Sequence, residues 1–375
     1  MDVKKRARDL GIPFEGRTGG FNAITDVSGV EVGFCTLVQE SKTGKPKAGE
    51  GPIRTGVTAV LPRGKDHSFS DFVFAGWFSL NGYGEMTGSH LIEETGFMQG
   101  PFMITNTCSV GVVRDAVDEY AVDHGFTMHL STVTETSDFY LNDMHGFHVK
   151  KEHAFAAIES AASGRVKEGN VGGGTGMICY GFKGGTGTSS RVVNIGDRDY
   201  TIGVLTQTNH GESYQLIVGG VNVGLELPKG LDFPRGEVRS PSQKSLDKSS
   251  IIIVIGTDAP LLPHQLKRLA RRASLGLART GSISSNGSGD IFLAFSTANP
   301  NAYGKKGESE VVMLANNELD PLFEATVHAT EEAIINSLIA AETMNGFQGT
   351  VNVLPQDLLI EILRKHDRLT RIPAR

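Results

Sequence analysis

With 42 acidic against 36 basic side chains over 375 residues, the chain has a formal net charge of −6 and no long basic run. That balance argues against a nucleic acid or an anionic membrane surface as partner. Hydrophobic residues at 39% and charged residues at 21% describe a soluble globular protein, large enough for two domains or one multilayered α/β unit.

The opening residues, MDVKKRARDLGIPFEG, lack an apolar h-region, and no window approaches 18 apolar residues, so the reading is cytoplasmic with no membrane partner. Residues 19–37 alternate apolar and polar with Gly punctuation and predict a hairpin. A polar loop (39–52) leads into a strand at TGVTAVLPRG (55–64), and DFVFAGWFSLNGYGEM (71–86) reads as strand, turn and strand. A short helix follows at 87–96, then a strand passing into a helix that stops near Gly125. LSTVTETSDFYLNDMHGFHV (130–149) holds an extended segment and a polar turn, and HAFAAIESAASG (153–164) has helical spacing.

Two Gly-rich strand regions come next, at 172–193 and 200–212. After a Pro-, Ser- and charge-rich stretch (228–249) comes the apolar run IIIVIGTDAP (251–260). Residues 262–281 form an amphipathic helix, with Leu266, Leu269, Ala270, Ala273 and Leu277 on one face. A strand at 287–299, a long Ala-rich helix at 321–346 and a shorter one at 354–366 complete the chain. Helices and hairpins alternate irregularly, which favours sheets sandwiched between helix layers over a doubly wound parallel sheet.

Glycine is abundant, 47 residues against a background of about 7%. GGGTGM (172–177) and KGGTGTSSR (183–191) satisfy neither a P-loop nor GxGxxG, leaving tight turns and close backbone approaches, or a nest of amides for an anion or an oxyanion. The three cysteines, Cys35, Cys108 and Cys179, form no CxxC and indicate neither disulfides nor a zinc ribbon. Asp143, His145, His148 and His153 resemble a ligand spacing, but HExxH is absent and the segment is a turn, so no metal and no cofactor are expected. His210 and His264 read as solvated or core-satisfied. No GxSxG elbow occurs.

One junction stands apart. Ser250 sits where the polar stretch meets the buried strand, a place where self-cleavage at its own amide would expose a hydroxyl and a free α-amine together. The bland alternative is a linker ending in a strand-start serine. In SSNGSGDIF, Ser288 and Asp290 are two apart at a strand entrance and share a face, where they could orient a hydrogen bond or simply cap a turn. Glu135 and Asp138 in TETSDFYLND place carboxylates on a turn-rich segment, suited to a substrate ammonium or to a solvated face. Asn209 in VLTQTNHG offers a side-chain donor for an oxyanion, or an ordinary turn.

Taken in order, NAITDVSGVEVG, RTGVTAVLP, LNGYGEMTG, TETSDFYLND, GGGTGM, FKGGTGTSSR, VLTQTNHG, SIIIVIGTDAP, ARTGSISSNGSGDIFLAFSTAN and ATEEAIINSLIAAETM span nearly the whole chain. Together they resemble the L-aminopeptidase/D-esterase family of DmpA type, which includes the β-peptidyl aminopeptidases. The resemblance implies a four-layered αββα sandwich, shared with ornithine acetyltransferases. It also implies a single domain self-processed into an α-chain (1–249) and a β-chain (250–375) that assemble as tetramers of αβ heterodimers. Carried over by position, Ser250 is the nucleophile, Ser288 and Asp290 bond toward it, Asn209 serves the oxyanion and Glu135 receives the amino group. The implied substrates are short peptides, amides and esters with a free amino terminus, including D- or β-amino acid forms, cleaved through an acyl-enzyme.

The family pattern has Gly or Asn before the cut, where Ser249 stands here, so Ser249-Ser250 offers two neighbouring hydroxyls. Three alternatives stay open: an acyltransferase of the ornithine acetyltransferase type, an unprocessed non-enzymatic member of the fold, and a metallo-aminopeptidase using His145 and His148.

Overall fold

The computed structural model describes residues 4–127, 130–231, 249–304 and 306–370. Most of the predicted linker, residues 232–248, lies outside the described residues. Two sheets carry the architecture. The first has the order β1-β2-β5-β6, from β1 (Glu31–Gln39), β2 (Ile53–Leu61), β5 (Phe102–Asn106) and β6 (Thr132–Thr136). The second has the order β4-β3-β12-β11-β10-β9. Its members are β3 (Val73–Gly82), β4 (Phe97–Met98), β9 (Gly185–Ile195), β10 (Arg198–Asn209), β11 (Ser250–Thr257) and β12 (Gly289–Ser296). A two-stranded hairpin, β7 (Ile178–Cys179) with β8 (Phe182–Lys183), lies beside the end of β10.

The alternation of side chains along each strand explains the layering, because each sheet is apolar on both faces. Val60, Phe102 and Ile104 of the first sheet meet Leu205, Ile252, Val254, Leu293 and Phe295 of the second in a shared core. On the outside of the first sheet, Val57, Ala59, Leu61, Met103 and Val133 pack on α1 (Val110–Asp123) and α2 (Lys151–Glu159). Outside the second sheet, Ile251, Ile253, Ile255, Phe292 and Ala294 pack on α3 (Pro263–Arg279) and α4 (Asp320–Ile339). The result is the αββα sandwich the sequence led us to expect. The run from Ile251 to Ile255 is fully buried, and each such side chain contributes about 1.5–3 kcal/mol of burial.

Local departures from the sequence reading have local causes. Residues 19–30 form no strand, so no hairpin closes there: the Asp26 carboxylate accepts from the amides of Phe21 and Ala23 and curls the segment into a 3-10 turn. β1 instead pairs with β2 across the polar loop. The long helix stops at Ile339 rather than Gly346, and Met344–Asn345 pairs with Thr350–Val351. The second half of 71–86 contributes a single bridge, Met86 to Thr134, rather than a strand.

The glycine clusters are places of close approach. A Cβ on Gly187 of β9 would stand 2.0 Å from the Ala333 carbonyl oxygen of α4, and one on Gly174 would stand 2.4 Å from the Thr186 amide. The amides of Gly172 and Gly173 bond Thr36 Oγ1 at 2.8 Å and Thr58 Oγ1 at 3.0 Å. Amides so committed form no anion nest. Among the described residues no helix is long and apolar enough to cross a membrane.

Candidate active site

Ser250 opens β11, and the pairing of that strand decides what surrounds it. Asn209, the last residue of β10, stands opposite Ser250 on one side, and Gly289, the first of β12, on the other. Ile252 and Val254 enter the core between the sheets, whereas Ile251, Ile253 and Ile255 face the helices. By the same period of two, Ser250 shares the face of Ile252 and Ser249 that of Ile251. The neighbouring serines thus point to opposite sides of the sheet. Ser249 Oγ accepts from the Gly211 amide at 3.1 Å. Ser250 lines a cavity of about 290 Å3 together with Tyr83, Gly84, Glu85, Thr107, Glu135 and Ser137. Of the two serines, Ser250 is the one that lines this cavity.

Each remaining candidate has a definite place. Ser250 Oγ accepts from the Gly289 amide at 3.1 Å. Glu135, near the end of β6, lines the same cavity as Ser250. Its Oε1 accepts from the Glu85 amide at 3.2 Å and its Oε2 from the Thr107 hydroxyl. These two donors orient the carboxylate. Asn209 is locked at both ends: its Oδ1 accepts from the Ile178 amide and its Nδ2 donates to the Ser137 carbonyl, each at 2.9 Å. The β7–β8 hairpin therefore sets which end of the carboxamide points where.

Ser288 donates to Asp290 Oδ1 at 2.5 Å, as their spacing predicts. Asp290 pairs in register with Ile251. The pair thus stands beside β11 just after Ser250. Burial pushes the Asp290 carboxyl up, opposed by the hydroxyls of Ser288 and Ser284 and by the Ile251 amide.

Asp138 does not share the cavity with Glu135. It is 1% exposed, and a Cβ on Gly176 would stand 2.8 Å from its own Cβ. Burial pushes its carboxyl up to about 7, with Thr55, Asn142 and Asn106 pulling the other way. Asp138 is not among the residues that line the Ser250 cavity, and its backbone carbonyl closes the 138–142 turn by accepting from the amides of Leu141 and Asn142. The histidines of the 143–153 segment also part company. His148 bonds Asp143 at 2.8 Å, His153 Nδ1 accepts from the Lys150 amide at 2.9 Å, and His145 lies beside the Phe139 ring.

His210 is buried against Tyr180, and His264 is exposed. Cys179 is buried and the other two cysteines are half-buried, all three as thiols.

Sequence reasoning missed Gly289, Thr107, Glu85 and Ser137. Gly289 and Glu85 act on the site through backbone amides, which leave no side-chain signature. Thr107 and Ser137 reach it only through strand pairing between β5 and β6.

A serine at the mouth of a central strand, between two sheets flanked by helices and sharing a small cavity with a carboxylate, belongs here to a hydrolase of the N-terminal-nucleophile type with aminopeptidase activity, as the family and its relatives show. The sequence pattern of peptidase family S58 matches residues 22–352, and the chain belongs to that family. It is 54% identical over 372 residues to the β-peptidyl aminopeptidase BapA of Sphingosinicella microcystinivorans, covering 97% of this chain and 93% of that protein. It is 46% identical to the BapA of Sphingosinicella xenopeptidilytica, covering 96% and 91%.

Among solved structures it resembles the L-aminopeptidase D-Ala-esterase/amidase of Ochrobactrum anthropi, described as a variant of the Ntn hydrolase fold. That match has a TM-score of 0.89 at 46% identity, over 98% of this chain and all of that one. A Burkholderia β-aminopeptidase aligns with a TM-score of 0.87 at 43% identity, over 98% and 100%.

Proposed function

We propose that the chain cuts itself between Ser249 and Ser250 and then works as an aminopeptidase and amidase-esterase with Ser250 as nucleophile. Its substrates are short peptides, amides and esters with a free amino terminus, β-amino acid termini among them, in keeping with the names of its relatives. The observation that carries the reading is the alternation at β11, which turns the Ser250 hydroxyl into the cavity that Glu135 shares. Ser250 Oγ attacks the carbonyl after the first residue of the substrate, and the α-amine released by self-cleavage accepts the proton. Glu135 receives the substrate ammonium, the Asn209 carboxamide holds the oxyanion, and water clears the acyl-enzyme. Ser288 and Asp290, bonded to each other, stand beside the start of β11, where Asp290 pairs in register with Ile251.

Denaturing electrophoresis of the 40.1 kDa chain tests the premise. Two bands of roughly 26 and 14 kDa are expected from the residue count, with Ser250 at the new N-terminus by mass spectrometry. Ser250→Ala leaves one band and no turnover of an amino acid p-nitroanilide. An active wild-type preparation that runs as one band removes self-cleavage from the account, and activity in Ser250→Ala moves the nucleophile elsewhere.

A further inference from the structure

The nucleophile proposed above performs two reactions on two carbonyls, and the structure separates the groups that serve them. In the intact chain the Ser249 carbonyl oxygen, which belongs to the bond to be cut, accepts from the Gly289 amide at 3.1 Å. The same amide donates to Ser250 Oγ at 3.1 Å. One N–H therefore sits within hydrogen-bond reach of both the attacking oxygen and the oxygen that becomes negative. Asn209 lies on the other flank of β11, because that strand runs between β10 and β12. One of its two Nδ2 hydrogens goes to the Ser137 carbonyl across the gap between the sheets.

We propose that the Gly289 amide is the oxyanion donor for self-cleavage, and that substrate turnover uses the Asn209 carboxamide instead. The inference rests on Ser250 being the nucleophile of both reactions. Ser250 Oγ bonds to the carbonyl carbon of Ser249, and the carbonyl oxygen takes the charge against the Gly289 N–H. The hydroxyl proton passes to the Ser250 nitrogen, the C–N bond breaks and an ester joins the Ser249 acyl group to Oγ. One water then adds to the ester carbonyl, releasing the Ser249 carboxylate, restoring the Ser250 hydroxyl and leaving its α-amine free.

The Gly289–Ser249 bond is also the first rung of the β11–β12 ladder. The sheet thus holds the donor in place before any charge develops, which is where such donors act best. Glycine is required there on steric grounds as well: a Cβ at 289 would stand 2.8 Å from the Tyr83 carbonyl oxygen and 2.9 Å from Gly84 Cα.

The test compares wild type, Ser250→Ala, Asn209→Ala and Asn209→Leu, following chain splitting by intact mass and p-nitroanilide hydrolysis on protein checked for a cooperative thermal transition. Both Asn209 variants are expected to split into the wild-type fragments while hydrolysis falls by about 10²–10³-fold, the usual loss for one oxyanion donor. Folded Asn209 variants that stay whole while wild type splits overturn the two-donor inference and leave the Ser250 reading standing. A wild type that stays whole, or Ser250→Ala that splits, overturns that reading itself.

A second arm removes the donor directly. Exchanging the 288–289 amide for an ester by semisynthesis replaces the Gly289 N–H with oxygen and is expected to slow splitting by about 10²-fold or more. Splitting at the wild-type rate in that ester analogue overturns the proposal whatever the Asn209 variants do.

Discussion

Asp138 and Lys183 show what burial does to single charged side chains near the site. Asp138 binds its proton more tightly in the fold, with its carboxyl raised from 3.8 to about 7. A group raised in this way stabilises the fold fully below its unfolded pKa, and that stability is lost as pH rises through the folded value. The melting temperature should therefore carry a falling component between about pH 4 and pH 7, and Asp138→Asn, neutral and of the same shape, should remove it. An unchanged slope across that interval in Asp138→Asn would assign the pH dependence to other groups.

Lys183 acts in a separate window. Its amine donates to the carbonyls of Met177 and Gly184 at 3.0 and 2.9 Å, and burial pulls it from 10.5 to about 7. Its contribution rises only above pH 7, so the two slopes can be told apart. At this same scale, Asp138 and Glu135 were indistinguishable in TETSDFYLND, being carboxylates three residues apart on one segment. Only the packing of Asp138 beneath Gly176 and the opening of Glu135 onto the Ser250 cavity separate them.

Most elements were legible in the sequence because their periodicity records the surface they bury. The 3.6-residue repeat of Leu266, Leu269, Ala273 and Leu277 recovered α3, and the β-branched run at 251–255 recovered β11. The helix α4 ended seven residues early because composition alone marks no stop between Ile339 and Gly346. The glycines of β9 lie in a region the sequence marks as a Gly-rich strand, and they sit within a strand of eleven residues so that α4 can rest directly on its backbone. Gly187→Ala should thus cost about 1–3 kcal/mol or more by overpacking, measured by chemical denaturation. A loss below a few tenths of a kcal/mol would mean that α4 can lift away from β9 freely, against the rigid seating inferred from the buried Ala333 and Ser337.

At the scale of the molecule, the order of the second sheet has a consequence for the two proposed fragments. Both β11 and β12 come from residues 250–375, yet they lie between β3 and β10, which come from residues 1–249. Cutting at Ser249-Ser250 severs the chain without opening the sheet. The fragments are expected to co-elute on gel filtration in native buffer and to part only in denaturant; separation in native buffer would contradict the central placement of β11.

The sequence by itself determined the layered α/β class, the strands and helices that periodicity marks, and the ordered motifs that singled out Ser250, Ser288, Asp290, Asn209 and Glu135. Tertiary structure decided which of two adjacent serines faces the cavity, that Asp138 lies apart from it, and that Gly289 supplies an amide to the Ser249 carbonyl. The physical reason is that side-chain pattern is written along the chain, whereas strand order, facing and backbone hydrogen bonds arise only when segments distant in sequence pair.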